Sequence, residues 1–309
     1  MMVLTSQQGR LKNPEWKTRL ITGAAQSMRR CVPVVVCLLV TDACSALEVA
    51  TCRSALDAVY PATSYQSRRM IARDAALRHS ARDGRGGGRV STAVADPVDD
   101  EPWHATSRST SAAVIPLAGD GLVYGEFDLA FFAKLLEAAS PQSGESFIDC
   151  GSGVGRLVCG AALLRPSLAR SSGIELLPEL HDAAISALAR LSGVAASPSS
   201  PLADCHIERQ CQFSCCDLFG EEARAQLSAA DIVFCYPVTW ERDAHNRLTG
   251  LSTLFADRLH DGARVLIAGG VSLLPRVGAT SFERVATLHQ ENAETGAQSA
   301  AHVYRVERR

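Results

Sequence analysis

The sequence has 309 residues, of which 47% are apolar, 21% are charged and 6% are aromatic. This length allows one large domain or two small ones, and 23 Gly and 13 Pro exclude a collagen-like chain, a coiled coil and a wholly disordered protein. Residues 1–90 contain 14 Lys and Arg against 6 Asp and Glu, a balance of +8, whereas residues 91–309 contain 17 against 27, a balance of −10, so a basic segment precedes an acidic remainder.

The first third of the chain, residues 1–104, is predicted to be a disordered leader. Residues 28–46 combine a basic start, a short apolar run at 31–40 and a small-residue cleavage-like site, which are the three parts of a secretory signal. The apolar run is shorter than the ~20 residues that a membrane-spanning helix needs. Residues 53–95 are rich in Arg and Ser and poor in acidic residues, as transit peptides are. We therefore expect localisation in a plastid or another organelle, with a basic tail acting in the nucleus as the alternative.

Residues 105–309 are predicted to form one domain of alternating strands and helices. Apolar residues recur at helical spacing in four segments, at 127–139, 154–164, 178–191 and 242–260. Short apolar runs predict seven strands, at 146–150, 171–176, within 206–219, and at 230–238, 263–270, 282–289 and 302–308. The polar stretches at 193–204 and 290–300 are predicted to be loops.

The order of these elements predicts an α/β fold. Five alternations of strand and helix are typical of a doubly wound, mostly parallel sheet. The last two strands follow each other with no helix between them, which predicts an antiparallel C-terminal hairpin at the edge of the sheet. Such an ending is unusual for the Rossmann oxidoreductases that bind dinucleotides.

A glycine-rich turn connects the first predicted strand to the helix that follows it. Gly151, Gly153 and Gly155 allow the backbone to turn tightly and to approach a ligand without a Cβ atom in the way. Glu175 lies 20 residues after Gly155, at the end of the next strand, where a carboxylate that binds ribose hydroxyls is expected. The turn is therefore interpreted as a cofactor site.

The charge of this turn distinguishes between two cofactors. The dinucleotide pattern is G-x-G-x-x-G, whereas this chain has G-x-G-x-G with Asp149 two residues before the first glycine. A carboxylate at that position disfavours a pyrophosphate and suits a ligand with an ammonium and a sulfonium group. S-adenosyl-L-methionine carries both groups, so it is the predicted cofactor. The expected architecture is then a doubly wound, seven-stranded, Rossmann-like methyltransferase sheet with an antiparallel C-terminal hairpin.

Four segments resemble the disruptor-of-telomeric-silencing family of histone lysine methyltransferases. They are VYGEFD (123–128), FIDCGSGVGRLV (147–158), SGIEL (172–176) and CDLF (216–219). The resemblance covers about residues 120–275 and implies a class I methyltransferase domain. It also implies the roles of individual residues. Tyr124 and Glu126 would close over the cofactor from an upstream loop, Glu175 would bind the ribose hydroxyls and Asp217 the adenine amino group. The residues that would line the methionine end are Asp149, Gly151, Ser152, Gly153 and Gly155.

The acceptor side departs from the family. After the fourth strand that family has an asparagine pair followed by Phe-Ala-Phe, whereas this chain has Cys235-Tyr-Pro-Val-Thr-Trp240, without an amide or carboxylate to receive a target amine. Tyr236 and Trp240 are the candidate catalytic residues, because a hydroxyl can orient an amine and an indole favours a cation. The alternative is an ordinary packing cluster at the end of the strand.

The resemblance favours a protein lysine as the methyl acceptor. The alternatives are a small-molecule methyltransferase of an organelle and a domain that binds the cofactor without catalysis. The balance of −10 in residues 91–309 makes nucleic-acid binding by the catalytic domain unfavourable and suits a basic protein partner. No membrane association of the mature form is expected, and the oligomeric state is not predicted.

Four cysteines and a histidine that lie close together in sequence are candidates for a zinc site. They are Cys205, His206, Cys211, Cys215 and Cys216. Only Cys211 and Cys215 have the spacing of a zinc-ligand pair, and cysteines within an apolar strand are explained more simply as small buried residues. No metal is predicted.

Overall fold

The computed structural model of the protein describes eight parts of the chain. They are residues 49–60, 71–72, 74–76, 78–79, 126–203, 205–237, 240–291 and 298–309. All of them belong to the unit Glu48–Arg309. The predicted signal-like segment at 28–46 and the predicted start of the domain at residue 105 lie outside the described residues.

One sheet of eight strands organises the described part of the domain. The strands are β1 (Ser146–Cys150), β2 (Arg170–Glu175), β3 (Cys211–Cys215), β4 (Ile232–Cys235), β5 (Arg264–Ala268), β6 (Arg276–Val277), β7 (Thr280–Glu291) and β8 (Gln298–Arg308). Their order across the sheet is β3-β2-β1-β4-β5-β8-β7-β6. Strands β1 to β5 pair in parallel, whereas β8 pairs antiparallel with both β5 and β7. The predicted α/β architecture with an antiparallel C-terminal hairpin is therefore confirmed.

The sheet has one strand more than the seven that were predicted. The addition is β6, which pairs antiparallel with β7 at the sheet edge. A strand of two residues has no apolar periodicity that a sequence could reveal. Gly278 permits the tight return from β6 to β7, because its φ of +57° lies in the left-handed region that favours glycine.

Helices cover both faces of the sheet. Residues 49–59 form α1, and the described residues between 71 and 79 are helical and are called α2. The others are α3 (Leu129–Ala138), α4 (Arg156–Leu164), α5 (Pro178–Ala195), α6 (Ile207–Gln210), α7 (Glu221–Ser228) and α8 (Thr249–Arg258). One apolar cluster holds residues of α1 to α6 on one face, and a second holds residues of α7 and α8 on the other. This arrangement is the layered form of a doubly wound sheet.

Two predicted helices differ in their bounds from those observed, and two further helices were not predicted. The helix predicted at 242–260 begins only at Thr249, because the Asp243 carboxylate accepts hydrogen bonds from the backbone N–H groups of His245 and Arg247 and holds a turn there. Helix α5 continues past residue 191 into the predicted loop, since Ala195 is buried in the same apolar stripe. Helices α6 and α7 were not predicted, as one is a single turn and the other buries only two residues.

The leader prediction is wrong for residues 49–60 and for the described residues of α2. These segments were predicted to be disordered, yet Leu56 and Val59 are at most 3% exposed and belong to the same apolar cluster as α3 and α4. An Arg- and Ser-rich composition concealed two amphipathic helices, and the described buried residues of α2 are all alanines, which give a weak apolar signal. The boundary between leader and domain at residues 104 and 105 otherwise remains a prediction.

Candidate functional site

A cavity of about 580 Å³ opens at the carboxyl ends of β1 to β4. In doubly wound sheets, ligands bind beyond the carboxyl ends of the strands, where the strand order reverses. Here the reversal lies between β1 and β4, and both strands end in the wall of this cavity. The volume is within the range of small-molecule sites, about 300–1,000 Å³.

The glycine-rich turn after β1 forms the floor of the cavity. Three glycines of the turn have positive φ angles, +83° at Gly151, +54° at Gly153 and +78° at Gly155. Residues other than glycine rarely adopt such angles. At Gly155 space is also lacking, because an added Cβ would lie 2.5 Å from the Phe213 ring and 2.9 Å from Ala184. The predicted need for glycine in this turn therefore has two physical causes, the backbone conformation and close packing against α5 and β3.

Glu175 connects this turn to the end of β2. One of its carboxylate oxygens accepts a hydrogen bond of 2.8 Å from the Gly153 N–H, and the other accepts one of 2.9 Å from the Leu177 N–H. Burial raises the pKa of Glu175, and these backbone hydrogen bonds oppose that rise. The acid and the glycine-rich turn, which lie far apart in sequence, thus form one rigid unit that lines the cavity.

Asp149 is the second buried acid of the cavity, at 4% exposure. Burial and the neighbouring Glu175 raise the pKa of its carboxyl from 3.8 to about 8. Among the described residues no hydrogen bond or ion pair stabilises this carboxylate, and the buried hydroxyl of Ser152 also has no partner. A bound cation would stabilise the charged form of Asp149, and a polar ligand would satisfy Ser152. The site therefore fits a ligand with a positive charge.

The remaining predicted cofactor residues divide into three cases. Asp217 follows β3, lines the cavity and accepts a hydrogen bond of 2.9 Å from the Phe219 N–H. Glu126 also lines the cavity, from the segment before α3. Tyr124 lies outside the described residues. The structure thus brings eight of the nine predicted cofactor residues to one cavity or to its immediate floor, namely all except Tyr124.

Aromatic side chains form another part of the cavity wall. Tyr236 meets Phe127 edge to face at 5.3 Å between ring centroids, and Trp240 lies 6.1 Å from Phe219. All four line the cavity. Tyr236 and Trp240, the predicted catalytic residues, are therefore on the wall of the site, where they could contact an acceptor next to the cofactor.

Sequence reasoning missed several lining residues. Glu241 supplies a carboxylate directly after Trp240, although the preceding segment was noted for having none. Arg156 and Ala72 also line the cavity. The position of Arg156 directly after Gly155 could have predicted that it lies near the cofactor site. The presence of Ala72 could not be foreseen, because it comes from the segment that was predicted to be a leader.

The two buried cysteines near the site are protonated thiols, and a protonated thiol is a poor nucleophile and a poor metal ligand. Burial raises the pKa of both Cys150 and Cys235 well above the ordinary value, so neither is a thiolate at neutral pH. In the described part of the chain, no group of three or more His, Cys, Asp or Glu side chains could hold a metal ion. Across the same residues, no helix is both long and apolar enough to cross a membrane.

The model of a family described as "Histone methylation protein DOT1" matches residues 118–269, a little under half of the chain. No curated protein sequence matches the chain.

Similar solved structures include an RNA methyltransferase from Salinibacter ruber in complex with S-adenosyl-L-homocysteine, which is 21% identical over 59% of this chain and 94% of its own, with a TM-score of 0.41. The rRNA methyltransferase aviRa from Streptomyces viridochromogenes is 16% identical over 59% of this chain and 86% of its own, with a TM-score of 0.41. TrmN from Thermus thermophilus is 18% identical over 60% of this chain and 50% of its own, with a TM-score of 0.39.

The sheet order, the glycine-rich turn and the two buried acids define a class I methyltransferase that uses S-adenosyl-L-methionine. Within that class the chain is similar to the DOT1 family, whose model spans β1 to β5 and the turns that line the cavity.

Proposed function

We propose that the protein is a protein lysine N-methyltransferase of the histone-modifying type. The observation that carries this proposal is the match of residues 118–269 to a histone methylation family. That match includes the glycine-rich turn, Glu175 and Asp217, and it extends through the acceptor side of the cavity at Tyr236 and Trp240.

The acceptor end of the cavity suits a cationic side chain. The faces of Tyr236 and Trp240 attract a cation through the ring quadrupole, an effect of about 0.5–2 kcal/mol that increases as water is excluded. Glu126 and Glu241 add negative charge to the cavity wall. These carboxylates take the place of the amide that the chain lacks after β4. A lysine side chain of a basic protein is therefore the acceptor that this end of the cavity favours.

The chain's own residues supply binding, orientation and a dry surface for the reaction. When bound, the cofactor supplies a methyl group on a positively charged sulfur. Asp149 and Glu175 hold the positively charged and hydroxyl-bearing parts of the cofactor, and Asp217 holds the adenine. The aromatic faces and the carboxylates attract the lysine as a cation, and the Tyr236 hydroxyl orients the amine once it has lost its proton. No general base is assigned.

The test is methylation by the full chain with isotope-labelled donor. Free histones and a protein extract from the organelle serve as acceptors, and mass spectrometry locates the methylated atom. We expect methyl-lysine, and none from Gly153→Arg, whose side chain would enter the cofactor site. Methylation of a small molecule alone contradicts the lysine proposal. Donor binding without transfer to any acceptor favours the alternative of a cofactor-binding domain without catalysis.

We also propose that the leader directs the protein to a plastid or another organelle. The support is the composition of residues 28–46, which can be removed without loss of a described residue. Two fluorescent fusions test this proposal, one with residues 28–48 and one with residues 28–95. Organelle fluorescence of either fusion supports it. Nuclear fluorescence of both contradicts it and favours action on chromatin.

A further inference from the structure

The charged side chains that line the cavity are mostly acidic, whereas the cofactor carries both positive and negative groups. Among the described lining residues five are acidic and one is basic: Glu126, Asp149, Glu175, Asp217, Glu241 and Arg156. S-adenosyl-L-methionine has two cationic groups, an ammonium and a sulfonium, and one anionic group, the carboxylate of its amino-acid end. The acids can serve the cationic and hydroxyl groups, but none of them can bind a carboxylate. Arg156 is the lining residue whose charge matches that group.

The environment of Arg156 leaves its guanidinium able to bind a ligand. Its side chain is 18% exposed, and Nη2 lies 3.5 Å from the Asp57 carboxylate of α1, which is itself 62% exposed. No hydrogen bond to this guanidinium is formed by the described residues. A guanidinium has five N–H donors in a planar fork, so it can keep this ion pair and bind a second carboxylate.

The segment that carries Asp57 also holds the glycine-rich turn. The Tyr60 hydroxyl, at the end of α1, donates a buried hydrogen bond of 2.9 Å to the carbonyl of Val154. Leu56 packs beside Gly160 of α4, where a Cβ would lie 3.7 Å from its Cδ1 atom. Ala72 of α2 is 3% exposed and lines the cavity. Described residues of α1 and α2, together with Tyr60, therefore contact the cofactor site at three points.

We propose that Arg156 binds the carboxylate of the cofactor and that α1, Tyr60 and the described residues of α2 are a positioning segment, which holds Arg156 through Asp57 and the glycine-rich turn through Tyr60. This inference rests on the methyl-donor site described above. It also limits how the leader is processed. Cleavage after residue 46 leaves the positioning segment intact, whereas removal of residues 53–95 as a transit peptide would remove part of the cofactor site.

The test compares two ligands that differ at the amino-acid end. S-adenosyl-L-homocysteine has the carboxylate, and 5′-methylthioadenosine has the same nucleoside without it. By calorimetry on the full chain, we expect Arg156→Gln to weaken binding of the first by about 10- to 100-fold, because it removes a charge-assisted hydrogen-bond pair. The affinity for 5′-methylthioadenosine stays within about twofold, as no contact to that ligand is lost.

Asp57 provides the second variant, because its exposed side chain leaves no cavity when changed. Asp57→Asn is expected to weaken the binding of S-adenosyl-L-homocysteine by about two- to fivefold, because it removes a partly exposed ion pair. Asp57→Glu keeps the charge and is expected to restore the affinity. The matched control is Arg224→Gln, which breaks an ion pair on α7 that does not line the cavity and leaves both affinities unchanged.

The outcomes separate this inference from the proposed function. Equal losses for both ligands in Arg156→Gln, or no loss for either, overturn the inference while the methyltransferase assignment stands. A wild-type chain that does not bind S-adenosyl-L-homocysteine overturns both. A selective loss that Asp57→Asn reproduces on a smaller scale supports the inference.

Discussion

The two ends of the cavity are built by different means. At the cofactor end, backbone N–H groups, positive φ angles and two buried carboxylates define the surface, and Gly153 contacts Glu175 directly. At the proposed acceptor end, aromatic side chains from three segments form the wall, and their exposure ranges from 8% at Phe127 to 46% at Phe219. Substitution of the glycines in the turn after β1 therefore disturbs the fold and binding together. Substitution at the acceptor end is expected to change the reaction while the fold persists.

The largest effect is expected from Gly155→Ala. An L-residue at a φ of +78° costs about 1–2 kcal/mol, and the Cβ placed 2.5 Å from Phe213 adds about 1–3 kcal/mol of overpacking. We expect a loss of about 2–5 kcal/mol in the free energy of unfolding, measured by chemical denaturation, together with loss of cofactor binding. Gly193→Ala is the control, because its Cβ meets open space in the interior of α5, and it should be neutral or slightly stabilising. Equal effects in the two variants would mean that the turn is not constrained as described.

Asp149→Asn is expected to weaken cofactor binding without unfolding the protein. The substitution keeps the shape of the side chain and removes the charge that faces the cationic end of the cofactor. Affinity for S-adenosyl-L-methionine should fall by about 10- to 100-fold, the value of a hydrogen bond to a charged group. Asp217→Asn is the comparison, because that side chain is exposed and a smaller loss is expected. Unchanged affinity in Asp149→Asn would contradict the cation-binding role.

The stability of the unliganded protein should depend on pH through Asp149. Its folded-state pKa of about 8 is above its ordinary value of 3.8, so the folded state holds a proton that the unfolded state releases. This contribution is full below about pH 4 and is lost as the pH rises towards 8. The difference in Tm between wild type and Asp149→Asn should therefore grow in favour of the variant from pH 5 to pH 8. Bound S-adenosyl-L-methionine should reduce that difference, and a constant difference would contradict the assignment.

The smallest effect is expected from Trp240→Ala at the acceptor end. Loss of one partly exposed aromatic face should reduce kcat/KM for a lysine substrate by about 3- to 30-fold, the range of a cation–π contact. Affinity for S-adenosyl-L-homocysteine and the Tm should change little, which distinguishes this variant from those in the glycine-rich turn. A parallel loss of cofactor affinity would show that Trp240 belongs to the cofactor end instead.

The same contrast explains what the sequence could predict. The two acids and the three glycines of the cofactor end belong to β1, the turn after it and β2, which are consecutive in sequence and adjacent in the sheet. Their spacing in sequence therefore predicts that they lie close together. The strand-to-helix turn requires glycine by its backbone conformation, and that requirement is visible in a single chain. The parallel strands and the terminal hairpin were predictable for a similar reason, since each buried strand is a continuous apolar run.

Features that depend on packing between distant segments were not predictable. Phe127 and Phe219 join Tyr236 and Trp240 only because α3 and the turn after β3 pack at the same sheet edge. The role of α1 was hidden because this short helix lies between a signal-like run and an Arg- and Ser-rich stretch. Asp57 and Arg156 lie 99 positions apart, and only the tertiary fold brings their side chains together.

The most direct test of the account is calorimetric titration of the full chain with S-adenosyl-L-methionine, in parallel with NAD. The account predicts saturable binding of one S-adenosyl-L-methionine per chain, no binding of NAD, and no binding of either ligand by Gly153→Arg. Binding of NAD in place of S-adenosyl-L-methionine, or unchanged binding by Gly153→Arg, would contradict the assignment of this cavity as a methyl-donor site.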